Sequence, residues 1–250
     1  YRMYDKEAVF YPAKDVIFYS ADVHGNAVET ERLKTIKSLF DQEGGTVITT
    51  MTAGMEYVQS LSVYKKSCRR LEEGGQVDLE ELTRSLADMG YERQGQVDGP
   101  GEYSIRGGIL DIFVPGEDYP VRIEFFDTEV DTMSYFDIGS QRRTRSLEKL
   151  LCVPNMEVLP TLAPDGMKGL VNKLTGIMLS RTNKHPELDK NLRRDIERLN
   201  NDGIFPAADK YLPLIYPQLT CAAAYIPEEA LVCFDDFRAV REAARVFTLR

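Results

Sequence analysis

The sequence predicts an α/β protein in which a parallel-sheet domain is interrupted by a small, antiparallel α+β domain. Three observations carry that expectation. Strand, helix and strand follow one another near the start, the order of a parallel sheet unit. Three strand-like runs lie between residues 102 and 126, and those at 102–107 and 120–126 alternate apolar and polar residues with period two. An apolar run and a helix near the end, 231–247, look like a return to the opening sheet.

Each element has its own warrant. The stretch 8-AVFYPAKDVIFYSAD-22 holds two short apolar, aromatic segments of strand character. From Val28 to Glu43, Val28, Ile36, Leu39 and Phe40 fall near helical spacing, and Gly44-Gly45 stops the helix. TVITTM follows as a β-branched strand, expected to be buried on both faces because it lacks charge. The polar 68-CRRLEEGGQV-77 marks a boundary, dividing the chain into 1–68, an inserted 69–150 and 151–250. Asp78 and Glu81 resemble a capping box. Leu79, Leu82, Leu86 and Met89 then make one core-facing stripe that ends at Gly90. The strands EYSIRG, GILDIFVP and PVRIEFF come next, with one face packed and the other free. Beyond Leu151 the pattern turns helical, with Leu188, Leu192, Ile196 and Leu199 near helical spacing. LVCF at 231–234 then predicts a strand, and 237–247 a surface helix.

Composition excludes several functions. The 250 residues, 43% apolar, suffice for one large domain or two small ones, and the chain reads as a segment of something longer. A net charge of −9 argues against gripping nucleic acid unaided, and 142-RRTRSLEK-149 reads as a solvated turn. Cys68, Cys152, Cys221 and Cys233 lack the spacing of a metal site or a disulfide framework, which fits a reducing cytoplasm. No apolar stretch approaches the roughly 18 residues of a membrane span, and no signal peptide is visible. LVCF with Asp235 and Asp236 resembles the acidic end of a Walker B strand. The GK[ST] loop that would cradle a nucleotide is missing, so no cofactor is expected. His24 and His185 stand apart from any nucleophile setting, and no catalytic constellation emerges.

A patch remains. Arg93 precedes the first strand of the small sheet and Arg106 sits on its outward register, near Leu110, Ile112 and Phe113. Arginine beside apolar residues is an interface composition. The plainer alternative has both arginines in surface ion pairs with Glu102, Glu124 or Asp127.

The runs RGGILDIFVPG and VRIEFFDTEVD, within YERQGQVDGPGEYSIRGGILDIFVPGEDYPVRIEFFDTEVDTMSYFDIGSQR, closely resemble the second domain of the bacterial transcription-repair coupling factor family. That domain also occurs in UvrB. FYPAKDVIFYSADVHGN and YIPEEALVCFDDF resemble the flanking parts of the family's UvrB-like module. The resemblance implies an incomplete UvrB-like parallel-sheet domain of degenerate P-loop NTPase type, carrying the insertion. It implies a surface for UvrA at Arg93 and Arg106, with Leu110 and Phe113 supplying apolar area. Ser104 stands where UvrB-type sequences have a further arginine, a departure that removes one contact. It implies that RNA polymerase and double-stranded DNA are engaged through regions outside this chain, in a protein that is an ATP-dependent translocase. The competing expectation is a UvrB-type helicase fragment that binds ATP and damaged DNA.

Overall fold

The structure, a computed structural model, describes residues 8–14, 25–41, 45–180, 186–201 and 208–248. The second apolar segment of 8–22 and both histidines lie outside these residues. Strand β1 (Val9–Tyr11), helix α1 (Gly25–Asp41) and strand β2 (Val47–Thr49) form the parallel unit, with Val9 beside Val47 and Tyr11 beside Thr49. β2 departs from expectation. It is exposed at Val47 and Thr49, because among the described residues only β1 flanks it. An uncharged strand is buried only where a second layer covers it. Helix α2 (Met51–Met55), strand β3 (Tyr57–Gln59) and helix α3 (Leu61–Ser67) follow, the helices capped by the side chains of Thr50 and Ser60.

The polar stretch after Cys68 is itself a strand, β4 (Arg69–Glu72). In helix α4 (Leu79–Asp88) the Asp78 carboxylate accepts the backbone N–H of Glu80 and Glu81 at 2.8 and 3.0 Å. Gly90, at φ 86°, ends the helix. Its N–H donates to Ala87 O and that of Tyr91 to Leu86 O, the paired closure of a left-handed C-terminus.

Strands β5 (Glu92–Arg93), β6 (Glu102–Arg106), β7 (Ile109–Ile112), β8 (Val121–Phe126), β9 (Glu129–Phe136) and β10 (Arg143–Ser146) build one sheet in the order β10-β9-β8-β7-β6-β5. It is antiparallel except between β5 and β6. The basic run expected to be a turn is its outer strand β10, held by Arg143 on Glu124 and by the Thr144 hydroxyl on Tyr135 O. Strand β11 (Lys149–Cys152) pairs antiparallel with β4, so the chain enters and leaves 69–150 side by side. One core runs through both regions, joining Leu33 and Ile36 to Leu86, Leu110, Ile112 and Ile123.

Helices α5 (Gly166–Ser180), α6 (Pro186–Asn201) and α7 (Leu212–Ile215) enclose a second core of Leu170, Leu174, Leu192, Leu199 and Ile215. Leu188, on the predicted stripe, stays exposed. Strand β12 (Leu219–Cys221) pairs antiparallel with β3. LVCF is not a strand. It is irregular and exposed, with no ladder partner among the described residues, and helix α8 (Phe237–Thr248) follows it. Apolar, β-branched composition favours a strand only where a sheet edge offers hydrogen bonds.

The opening unit is held by a buried ion cluster. Arg32, fully buried, donates to Glu157 Oε1 at 2.8 Å, Glu56 Oε2 at 2.7 Å, Pro12 O at 2.7 Å and the Tyr11 hydroxyl at 2.6 Å. Lys14 pairs with Glu157 Oε2 at 2.5 Å. Burial alone would push Glu157 up, but Lys14 and Arg32 override it and hold the carboxyl at about 2. Glu29 accepts the Glu157 N–H at 2.9 Å. Burial raises its carboxyl to about 7, with Lys14 opposing and Glu157 adding to the rise.

Glu29 has a folded pKa above its ordinary 4.5, so the folded state binds its proton more tightly. Its contribution to stability therefore grows as pH falls from about 7 toward 4.5. Glu29→Gln mimics the protonated form and keeps the acceptor for Glu157. In thermal melts across that window, the variant is expected to lose this component of the pH slope. An unchanged slope would assign it to another group.

Candidate functional site

Alternation along the strands sorts the sheet into two faces. Tyr103 opposes Ile112 and Ile105 opposes Leu110, with Ile123 and Val121 beyond them, and this face is core. The other face is polar. Ser104 opposes Asp111, Asp111 opposes Arg122, Arg122 opposes Ser134, and Glu124 opposes Thr132.

At its centre the Asp111 carboxylate, 2% exposed, lies between two guanidinium groups. Arg122 grips it with two hydrogen bonds, Nε to Oδ1 at 2.7 Å and a terminal nitrogen to Oδ2 at 2.8 Å. Arg106 reaches Oδ2 at 2.8 Å. Arg122 is fixed further by Gln141 Oε1 at 3.0 Å and lies 4.5 Å over the Phe136 ring. The Asp111 hydrogen bond raises its pKa against desolvation. Arg106 is different. Its side chain is 54% exposed, and Asp111 is its one hydrogen-bond partner among the described residues. Two cations around one anion leave a net positive point there, with Arg106 free to donate outward.

The predicted residues divide. Arg106 is outward, as its alternation implies. Its ion pair is with Asp111 instead of Glu102, Glu124 or Asp127. Glu102 already accepts the N–H groups of Asp98 and Gly99. Leu110 is fully buried, Phe113 is 8% exposed and Ser104 is 2% exposed, with its hydroxyl donating to Gly95 O at 3.0 Å. None of the three offers surface. Leu110 shares the core face with Ile105, and the Phe113 N–H is drawn onto Glu102 O.

Arg93 is exposed at the outer strand. Its partner in the parallel register is Tyr103, so it lies on the Tyr103 side of the sheet. Burial raises the Tyr103 phenol and the nearby Arg93 charge opposes that rise. From 103 to 106 is an odd step, so Arg93 and Arg106 stand on opposite faces of the same edge. The structure does not bring them together on one face. Asp111 and Arg122 were missed. Their signal was available in the alternation that puts Asp111 and Arg122 on the register of Ser104 and Arg106.

Asp235 and Asp236 are not strand-end carboxylates. Both are exposed, and Asp236 caps α8 through a bond from the Ala239 N–H at 3.2 Å. Among the described residues no three His, Cys, Asp or Glu side chains converge as a metal site, and no helix is long and apolar enough to cross a membrane.

Comparison with known proteins places this sheet. The UvrB interaction domain family matches residues 70–157, the span from β4 through the whole sheet to Glu157. The chain is also similar, nearly end to end, to transcription-repair-coupling factors. That of Bacillus subtilis (strain 168) is 30% identical over 244 residues, covering 95% of this chain and 21% of the relative. That of Staphylococcus haemolyticus (strain JCSC1435) is 27% identical over 251 residues, covering 97% and 21%. That of Staphylococcus aureus (strain bovine RF122 / ET3-1) is 26% identical over 255 residues, covering 98% and 21%. The chain spans about a fifth of the length of these relatives.

Three stability measurements separate structural from accessible residues. Asp111→Ala strands Arg122 beside a vacated anion position and is expected to cost about 3 kcal/mol in urea denaturation. Arg106→Ala, half exposed, should stay within about 1 kcal/mol. Leu110→Ala should cost about 3 kcal/mol through a core cavity; a near-neutral result would place Leu110 at the surface after all.

Proposed function

We propose that this chain is a non-catalytic interaction module of a transcription-repair-coupling factor, and that the β5–β6 edge of its sheet docks UvrA for nucleotide excision repair. The observation that carries the reading is Arg106, half exposed within the UvrB interaction domain and pre-oriented by Asp111. A guanidinium fork held this way suits a partner carboxylate, which it binds through two parallel hydrogen bonds. Arg93 lies on the other side of the same edge, so in this proposal the partner straddles the edge. The apolar area once expected from Leu110 and Phe113 plays no part. Contact with RNA polymerase and double-stranded DNA, and ATP-driven translocation, fall to the rest of the longer protein. The first domain as a degenerate P-loop NTPase relative, working in the bacterial cytoplasm, completes the proposal.

Calorimetry of the chain with its cognate UvrA tests the reading, with circular dichroism of each variant as a folding control. Wild type is expected to bind, and folded Arg106→Ala to bind ten-fold or more weakly. Arg93→Ala should weaken binding as well if the edge is straddled. No binding by wild type, or two variants that bind like it, would end the proposal. ATP with Mg²⁺ is expected to leave thermal stability unchanged. A ligand at 100 times its dissociation constant adds about 2.7 kcal/mol, and a shift of that size would favour the helicase-type alternative.

A further inference from the structure

A cavity of about 10 Å³ lies where β3, α3 and the segment after β11 meet. That is room for a single water molecule. Gln59, Tyr64 and Glu157 line it and are 2%, 1% and 6% exposed. Each carries a buried polar atom with no aligned hydrogen bond: Gln59 Oε1, the Tyr64 hydroxyl and Glu157 Oε2. The Glu157 oxygen is already held by Lys14 Nζ in an ion pair at 2.5 Å, so its place at the cavity rests on its remaining lone pair. Buried polar groups are nearly always satisfied, so three at one small cavity need a common explanation.

The orientation of these groups is determined by their neighbours. Gln59 Nε2 donates to Glu157 O at 3.0 Å, which fixes the amide and leaves Oε1 as the acceptor. The Tyr64 phenol is held protonated by its burial and is a donor. The cavity therefore presents two acceptors and one donor. Water supplies two donors and an acceptor, a matched set. The charge balance favours a neutral guest. Glu157 and Glu56 offset Arg32 and Lys14, and Lys14 already occupies the oxygen that a cation would seek.

We infer that this cavity is a hydration site for one structural water, which accepts from the Tyr64 hydroxyl and donates to Gln59 Oε1 and Glu157 Oε2. The water extends the Arg32–Glu157 ion cluster to α3 and to the β3–β12 pair, which Tyr225 also joins through its bond to Gln59 O at 2.6 Å.

A crystal structure of the chain at high resolution should show one solvent peak about 3 Å from at least two of the three atoms. Tyr64→Phe, which keeps the ring stacked on Phe40, provides a test by sign. If the hydroxyl bonds a water, its removal lowers Tm by about 2 to 4 °C. If the hydroxyl is unsatisfied, its removal relieves a buried polar group and leaves Tm unchanged or raises it. The solvent peak together with a lowered Tm supports the site. An empty cavity, or a Tm that holds or rises, overturns it.

Discussion

The contact on which the rest of the molecule depends is the buried pair of Arg32 and Glu157. The two lie 125 residues apart, one on the first helix and the other just past the strand on which the chain leaves the small sheet. A guanidinium taken wholly out of water is costly unless nearly every donor finds an acceptor. Here it finds two carboxylates, a carbonyl and a phenol, drawn from three segments of the chain. Those acceptors therefore cannot move independently. Residue 157 is fixed to the opening unit, β11 is fixed to β4 through their ladder, and the sheet is carried in one orientation on that neck. Buried pairs of this kind add little net stability, and removing one partner is far worse than never having had the pair. The pair's contribution is to geometry.

The outer face of the sheet repeats the theme at a smaller scale and with a different result. Asp111 is as buried as a core residue, yet it serves two arginines, and one of them is in solvent. Arg122 is held on three sides by Asp111, Gln141 and the Phe136 ring. It has no freedom left for a partner. Arg106 has lost only part of its rotamer freedom, so less remains to be lost on docking, and its spare donors already point outward. An exposed arginine without Asp111 would bear the same charge without the same direction.

What was legible in the sequence was local. Helix α4 was readable because its cap, stripe and terminal glycine all lie within thirteen residues, 78–90. β6 alternates throughout, and β8 does so from Val121 to Phe125. β10 was not readable, since RTRS has no apolar period and owes its strand to bonds with β9. β4 was not readable as a strand, because its partner lies near residue 150. LVCF failed in the opposite direction, having strand composition and no edge to join among the described residues. The same distinction runs through the site. Alternation placed Arg106 correctly within its own strand. The inward face of Leu110 depends on pairing with Ile105, and the side taken by Arg93 depends on a parallel register with a strand ten residues away. Both pairings are close in sequence, but each is set by the register between two strands and not by a repeat along one.

The position of Leu110 in the core changes what kind of recognition this edge can support. With Leu110 and Phe113 in the core, the proposed docking would draw mainly on charge-assisted hydrogen bonds and displaced water, which salt weakens. The chain as a whole carries −9, so an acidic partner meets net repulsion at long range and attraction only beside Arg106 and Arg93. Such a surface gains little from electrostatic steering, which acts over distance. It gains selectivity, because only a carboxylate delivered at the angle set by Asp111 escapes the surrounding negative field. A directed cation on an acidic body would discriminate by placement, and the two-to-one cluster on the outer face of the sheet supplies that direction.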